Sequence, residues 1–150
     1  IKGDIIKALE NGEIDILAHG CNCRNGFGSG IAGQLAKKIP QAKKAYHDLY
    51  SKGMVELGVV QYVKTSKGIV ANCMTQDKYG NARKNGEVHL NYEALQKVLN
   101  KLKKKSLEGK KVGLPQIGCG LAGGDWSRVK SMIDETFQDV DVFVYYYGGK

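Results

Sequence analysis

Two glycine-rich segments of this 150-residue chain carry the residues best suited to chemistry, His19-Gly-Cys-Asn-Cys-Arg-Asn-Gly-Phe-Gly-Ser-Gly-Ile-Ala32 and Leu114-Pro-Gln-Ile-Gly-Cys-Gly-Leu-Ala-Gly-Gly-Asp-Trp126. Each follows an apolar run that reads as a buried strand, Ile14 to Ala18 and Val112 to Leu114, and each precedes a helical pattern. Free backbone N–H groups at such strand-to-helix turns can converge on one anion from two sides, which would make a clamp for a diphosphate. Two titratable side chains flank the loops. His19 ends the first strand and has an imidazole that ordinarily titrates near neutral pH; a satisfied histidine beside the sheet is the competing reading. Asp125 stands where a carboxylate could accept a proton, and equally where a helix wants its N-cap.

The elements that must position these groups alternate along the chain. Glu13 to Ala18 reads as a strand. Ile31 to Ile39 and Gln41 to Lys52 read as helices broken at Pro40, which removes a donor from the helical ladder. Strands follow at Leu57 to Val63 and Gly68 to Met74, joined by a hairpin at Thr65-Ser66-Lys67-Gly68. After a polar excursion from Thr75 to Val88, the spacing of Tyr92, Leu95, Val98, Leu99 and Leu102 predicts a helix over Asn91 to Lys105 with one core face. A short strand at Lys111 to Leu114, a helix at Trp126 to Phe137 capped by Asp125, and a strand at Val140 to Tyr147 complete the pattern. It implies an α/β fold, a three-layer α/β/α sandwich with a mixed, largely parallel sheet and one antiparallel pair at the hairpin. Ligands of such sheets bind beyond the carboxyl ends of the strands, where both glycine loops would lie.

Composition sets the limits. A content of 42% hydrophobic residues supports one substantial core, and the absence of a linker predicts a single domain over residues 1–150. Twenty Gly against two Pro fit loops that approach a ligand closely. Cys21, Cys23, Cys73 and Cys119 include no C-x-x-C pair, so reduced thiols in a cytoplasmic protein are the simpler reading; His19, Cys21 and Cys23 lack an obvious fourth ligand for zinc, and no metal is expected. The net charge of +8 suits an anionic partner. Its densest cluster, Lys101, Lys103, Lys104, Lys105, Lys110 and Lys111, reads as a solvated helix C-terminus, with a nucleic-acid patch as the alternative. No run predicts a membrane span and no signal peptide is visible; the first residue is Ile rather than Met, which leaves room for a strand or leader upstream. The P-loop pattern G-x-x-x-x-G-K-[ST] and the G-x-G-x-x-G of dinucleotide-binding folds with its ribose-binding acid are both absent.

Gly3-Asp4-Ile5, the Asn22 segment running into Gly28-Ser29-Gly30-Ile31-Ala32, and the later Gly118-Cys119-Gly120-Leu121 resemble, in that order and spacing, the macrodomains, which bind ADP-ribose and its derivatives. The branch most similar is that of the fungal-type ADP-ribose 1″-phosphate phosphatases, with His19 to Cys23 leading into Phe27 to Ala32; Pro115 to Trp126 also resembles the terminal ADP-ribose protein glycohydrolases. The resemblance implies that Asp4 accepts from the adenine amine beside the Ile5 N–H, and that Asn22 holds distal ribose hydroxyls. It also implies that Gly28, Ser29, Gly30, Ile31 and Ala32 present a helix start to the diphosphate, while Gly118, Cys119, Gly120, Leu121, Ala122 and Gly123 close over it. Phe27 would pack on the distal ribose and Tyr145 or Tyr146 on the adenine. Each has a structural alternative: Asp4 as the cap of an Ile5 to Glu10 helix, Asn22 as a turn residue, the tyrosines as core, Trp126 as an anchor.

The activity implied is hydrolysis of ADP-ribose 1″-phosphate to ADP-ribose and phosphate, with His19 and Asp125 as catalytic candidates and no cofactor. Hydrolysis of ADP-ribosyl esters on protein or nucleic acid is the alternative. Its lysine nucleophile and loop acid are replaced here by Gln76 and Ala122, unless Lys78 and Asp125 take those roles. A reader that binds ADP-ribose without turnover is the third. Lys78, Lys84, His47 and His89 read as surface groups. A monomer is expected.

Overall fold

The computed structural model describes residues 1, 3–27, 30–77, 88–119 and 122–146. Their elements run α1 (Ile5–Glu10), β1 (Ile16–Asn22), α2 (Gly30–Lys38), α3 (Pro40–Ser51), β2 (Val60–Thr65), β3 (Gly68–Gln76), α4 (Tyr92–Leu107), β4 (Val112–Leu114), α5 (Trp126–Thr136) and β5 (Phe143–Val144). The strands form one sheet in the order β2-β3-β1-β4-β5. β1 is parallel to β3 and β4, β4 is parallel to β5, and only the β2–β3 hairpin is antiparallel. The expected mixed, largely parallel α/β/α architecture is therefore the one observed.

Alternation along the strands divides the core between two layers. Ile16 and Ala18 of β1, Ala71 and Cys73 of β3, and Val112 and Leu114 of β4 join Leu95, Val98, Leu99 and Leu102 of α4 and Val129 and Ile133 of α5 on one face. Leu17 and Cys21 of β1 with Val70 and Met74 of β3 join Ile5, Ile6 and Leu9 of α1, Leu35 of α2 and Tyr46 of α3 on the other. Both faces of β1 are thus covered, as parallel strands between helical layers require. α3 starts on Pro40, whose missing N–H costs nothing at the first helical position.

The strand boundaries differ from expectation where pairing overrides local pattern. β1 begins at Ile16 and runs through His19 to Asn22, because the β3 ladder continues from Ile16↔Ile69 to Asn22↔Gln76. A bulge between Cys21 and Asn22 leaves Thr75 without a partner in the register. β2 starts at Val60, since residues 56–59 form a turn closed by Val59 N–H to Glu56 O (3.2 Å) with Gly58 at φ 88°. β5 is only Phe143–Val144, matched to the three-residue β4; Tyr147, expected at its end, lies outside the described residues. Beyond β5 the chain pairs instead with the first residues. Ile1 N donates to Val144 O (2.6 Å), Tyr146 N–H to Ile1 O (2.7 Å) and Gly3 N–H to Tyr146 O (2.9 Å), an exchange of parallel type.

The lysine cluster of α4 is partly committed to the sheet. Lys101 Nζ donates to Gly58 O (2.7 Å) and Lys105 Nζ sits 4.8 Å above the Tyr62 ring of β2, so their stems roof the strand at the sheet edge. No helix among the described residues is long and apolar enough to cross a membrane. Leu99 is fully buried between α4 and the sheet. Leu99→Ala should therefore lower the unfolding free energy by about 2–5 kcal/mol in urea titrations, with the m-value unchanged.

Candidate functional site

β1 delivers two polar side chains into the layer shared with α1, α2 and α3, and both must be satisfied there. His19 is 2% exposed. Its Nε2 lies 2.6 Å from Asn72 Oδ1 on β3, and because an amide oxygen only accepts, Nε2 carries the proton. Asn72 in turn donates through Nδ2 to Ala42 O of α3 (3.1 Å) and to Gln61 Oε1 of β2 (3.0 Å), and Gln61 Nε2 donates to Ala45 O (2.9 Å). Burial lowers the His19 pKa to about 4 against the smaller opposing effect of the Asn72 hydrogen bond, so the ring is neutral at physiological pH. Phe27 meets it edge to face at 5.4 Å and leans on Tyr46 at 5.5 Å. The expectation that His19 titrates in the range useful for proton transfer is corrected: desolvation moves it out of that range and its one proton is committed to Asn72.

Asn22 governs the exit from β1. Its Oδ1 accepts from Arg24 N–H (2.9 Å), Gly26 N–H (3.0 Å) and Tyr46 O–H (3.0 Å), while Nδ2 donates to Gly26 O (2.8 Å). The Tyr46 hydroxyl also donates to Asn22 O (2.7 Å). The same amide that the resemblance assigns to ribose hydroxyls thus also folds the loop, with Asn25 at φ 61° completing the turn. Phe27, expected on the distal ribose, has its ring 5% exposed and packed between His19 and Tyr46. His47, read as a surface group, places Nδ1 against Asn25 Oδ1 and supports the same turn.

The open site lies at the carboxyl ends of the parallel strands. A cleft of about 210 Å³ is lined by Gly3, Asp4 and Ile5, by Ile31 and Gln34 of α2, by Pro115, Gln116 and Cys119 after β4, and by Tyr145 after β5. The two glycine-rich segments thus contribute to one cleft, with the start of α1 as its third wall. Asp4 caps α1 through Oδ1, which accepts from Ile6 N–H (2.9 Å) and Lys7 N–H (3.3 Å). Oδ2 and the Ile5 N–H have no partner among the described residues. Tyr145 is 7% exposed, belongs to the hydrophobic cluster of the α1 layer and still lines the cleft; Tyr146 points to the other face, against Trp126 at 5.9 Å. Gly3, Pro115 and Gln116 belong to the quoted motifs but take no role from them, and Gln34 is not singled out by the pattern; the topology joins the four.

The second loop is braced from below. Gly124 N–H donates to Gly118 O (2.8 Å), Cys119 N–H to Gln116 O (3.2 Å), and Ala122 O accepts from His89 N–H (2.7 Å) and Leu90 N–H (3.3 Å). His89, read as a surface group, is half-buried beside this loop. Gly118 and Gly123 have φ of 74° and 77°, a left-handed region in which other residues are strained. Asp125 caps α5 through Oδ1 to Ser127 N–H (3.0 Å) and is exposed just after the loop, outside the cleft lining. Of the expected ligand-binding residues, Ile31 and Cys119 line the cleft, Gly30 begins α2 and Ala32 packs in its layer; Gly28, Ser29, Gly120 and Leu121 lie outside the described residues, as do Lys78 and Lys84. Among the described residues no group of three or more His, Cys, Asp or Glu could hold a metal ion. Burial pushes the Cys21 thiol well above its ordinary pKa, so it is a packing group.

The profile of the Macro domain family matches residues 18–133. This chain belongs to that family. An ADP-ribose 1″-phosphate phosphatase of Lodderomyces elongisporus is 28% identical over 155 residues, 96% of each chain. A DNA ADP-ribosyl glycohydrolase of Mycobacterium tuberculosis is 27% identical over 95% of this chain and 40% of its own length. A solved structure of a protein of unknown function from Bacteroides thetaiotaomicron superposes with a TM-score of 0.85 at 32% identity, covering 97% of this macrodomain and 95% of that chain.

The state of His19 has a measurable consequence. Its folded pKa of about 4 lies below the ordinary value of 6.5, so between these values the unfolded chain binds the extra proton and acid destabilises the fold. Its contribution is complete above pH 6.5 and lost as pH falls toward 4, amounting to about 3 kcal/mol. Urea unfolding across this range should show that loss, and His19→Gln should flatten the histidine-dependent part of the profile.

Proposed function

We propose that this macrodomain binds ADP-ribose in the cleft and hydrolyses ADP-ribose 1″-phosphate to ADP-ribose and inorganic phosphate. The observation that carries the reading is the convergence of Asp4, Ile5, Ile31, Gln116, Cys119 and Tyr145 on one cleft at the strand ends. Asp4 Oδ2 accepts from the adenine amine while the Ile5 N–H donates to the adjacent ring nitrogen, and Tyr145 and Ile31 flank the ring. The start of α2 at Gly30, Ile31 and Ala32 offers N–H groups to the diphosphate, and Gly118, Cys119, Ala122 and Gly123 close over it; the sequence assigns Gly28, Ser29, Gly120 and Leu121 to the same task. Among the described residues the Gly118 and Gly123 N–H groups have no intramolecular acceptor, which leaves them for phosphate oxygens.

In the reaction water attacks phosphorus, the bond from phosphorus to the 1″ oxygen breaks, and that oxygen takes a proton as ADP-ribose leaves. Asp125 has one carboxylate oxygen outside its cap and stands next to the covering loop, so it is the candidate to receive the water's proton. His19 acts from beneath as a neutral positioning residue, holding Phe27 and with it the first glycine loop. The likeness to the named phosphatase supports this substrate. The DNA ADP-ribosyl glycohydrolase relative supports a second one, an ADP-ribosyl group on nucleic acid, for which the same cleft would hold the same moiety.

Purified protein should release phosphate from ADP-ribose 1″-phosphate, and Asp125→Asn, which retains a capping oxygen, should lower kcat by at least about 100-fold with ADP-ribose affinity unchanged. Binding of ADP-ribose with no phosphate release would shift the substrate to ADP-ribosylated DNA or protein. Asp4→Asn, which also keeps the cap, should weaken ADP-ribose binding by about 10-fold or more in calorimetry through loss of the charged acceptor.

A further inference from the structure

We infer that Gln34 and Gln116 are the base-reading residues of this chain, donating through their side-chain amides to the ring-nitrogen acceptors of adenine on the edges turned away from Asp4. The inference rests on the proposed placement of ADP-ribose in the cleft and goes beyond it in naming what reads the rest of the base.

The cleft's inventory of donors leads there. A purine held by Asp4 Oδ2 and the Ile5 N–H has its amine and one ring nitrogen matched, which leaves the N3 and N7 acceptors. A cleft walled by Ile5, Ile31, Pro115 and Tyr145 strips water from such atoms, and an acceptor that loses water without gaining a donor weakens binding. Three backbone N–H groups of the lining are already spent. Gly3 donates to Tyr146 O (2.9 Å), Cys119 to Gln116 O (3.2 Å) and Tyr145 to Leu114 O (2.8 Å), and Pro115 has none to give. The Cys119 thiol is turned to Ile117 O at 3.4 Å.

Two primary amides remain. Gln34 stands on α2, one helical turn after Gly30, half-buried; Gln116 follows Pro115 after β4 and is exposed. Neither side-chain amide has a hydrogen-bond partner among the described residues. Two other half-buried glutamines of this chain are engaged: Gln61 donates to Ala45 O (2.9 Å) and Gln96 to Thr136 Oγ1 (2.9 Å). Two unengaged amides lining one cleft, one on α2 and one on a turn braced by the Cys119 N–H to Gln116 O bond, make a pair of donors that a planar base bound there would satisfy.

The test is a set of calorimetric titrations of the full chain, as wild type and as Gln34→Leu, Gln34→Glu, Gln116→Leu and Gln116→Glu, with ADP-ribose and its 3-deaza- and 7-deaza-adenine analogues. Each glutamine variant should bind ADP-ribose about 3- to 10-fold more weakly than wild type, the effect of one neutral hydrogen bond. For each glutamine that loss should vanish against the one analogue lacking its partner nitrogen. Variants that bind ADP-ribose like the wild type, or that weaken equally against all three ligands, would overturn the inference while leaving the cleft's ligand in place. A wild type that fails to bind ADP-ribose would overturn the reading of the cleft itself, and this inference with it.

Discussion

The structure depends on β1 having water on neither side. Flanked by β3 and β4 and roofed by helices on both faces, the strand can carry a polar side chain only if the interior supplies a partner. His19 finds Asn72, Asn72 finds the α3 backbone and Gln61, and Gln61 returns to α3. The chain of amides fastens three strands and a helix together, and its direction is fixed because each group has a definite donor or acceptor to offer. Asn22 and Tyr46 repeat the arrangement at the strand's end, where the amide shapes the loop.

Two consequences follow for catalysis. A histidine one would choose from its neighbours in sequence as a proton shuttle is the residue least able to be one, since a neutral ring is what the interior tolerates. Charge in the cleft is concentrated on Asp4 at one end, while the glycine loops offer amide dipoles. Among the described residues no lysine or arginine lines the cleft, so an anion bound there as proposed would rely on oriented N–H groups, with the excess of lysine elsewhere assisting approach.

Much of this was legible in the sequence because it is local. Residues such as Leu95, Val98, Leu99 and Leu102 declare a helix by their spacing, Pro40 declares a boundary, and Asp4 and Asp125 declare caps, all within a few positions. What stayed hidden is set by partners far along the chain. His19 is neutral because of Asn72, 53 residues on; the bulge at Cys21 and Asn22 exists because β3 has a residue to spare in Thr75. β5 is short because β4 offers it only three residues, and the backbone groups after it are taken by Ile1 and Gly3, a pairing that no periodicity announces. Gln34 carries no motif and Gln116 has no role that its motif assigns; only the meeting of α2 with the turn after β4 gives them a common cavity.

The sheet's other border has a consequence of a different kind. β2 is an outermost strand, and its free backbone groups are a template on which another chain could add a strand. Lys64 projects from that strand into solvent, and Lys101 and Lys105 are drawn over it from α4 by the Gly58 carbonyl and the Tyr62 ring. An approaching copy would have to bring its own lysines against these at close range. The border is thereby protected by like-charge repulsion, which salt screens, so the colloidal behaviour of this protein is tied to ionic strength through a part of the fold remote from the cleft.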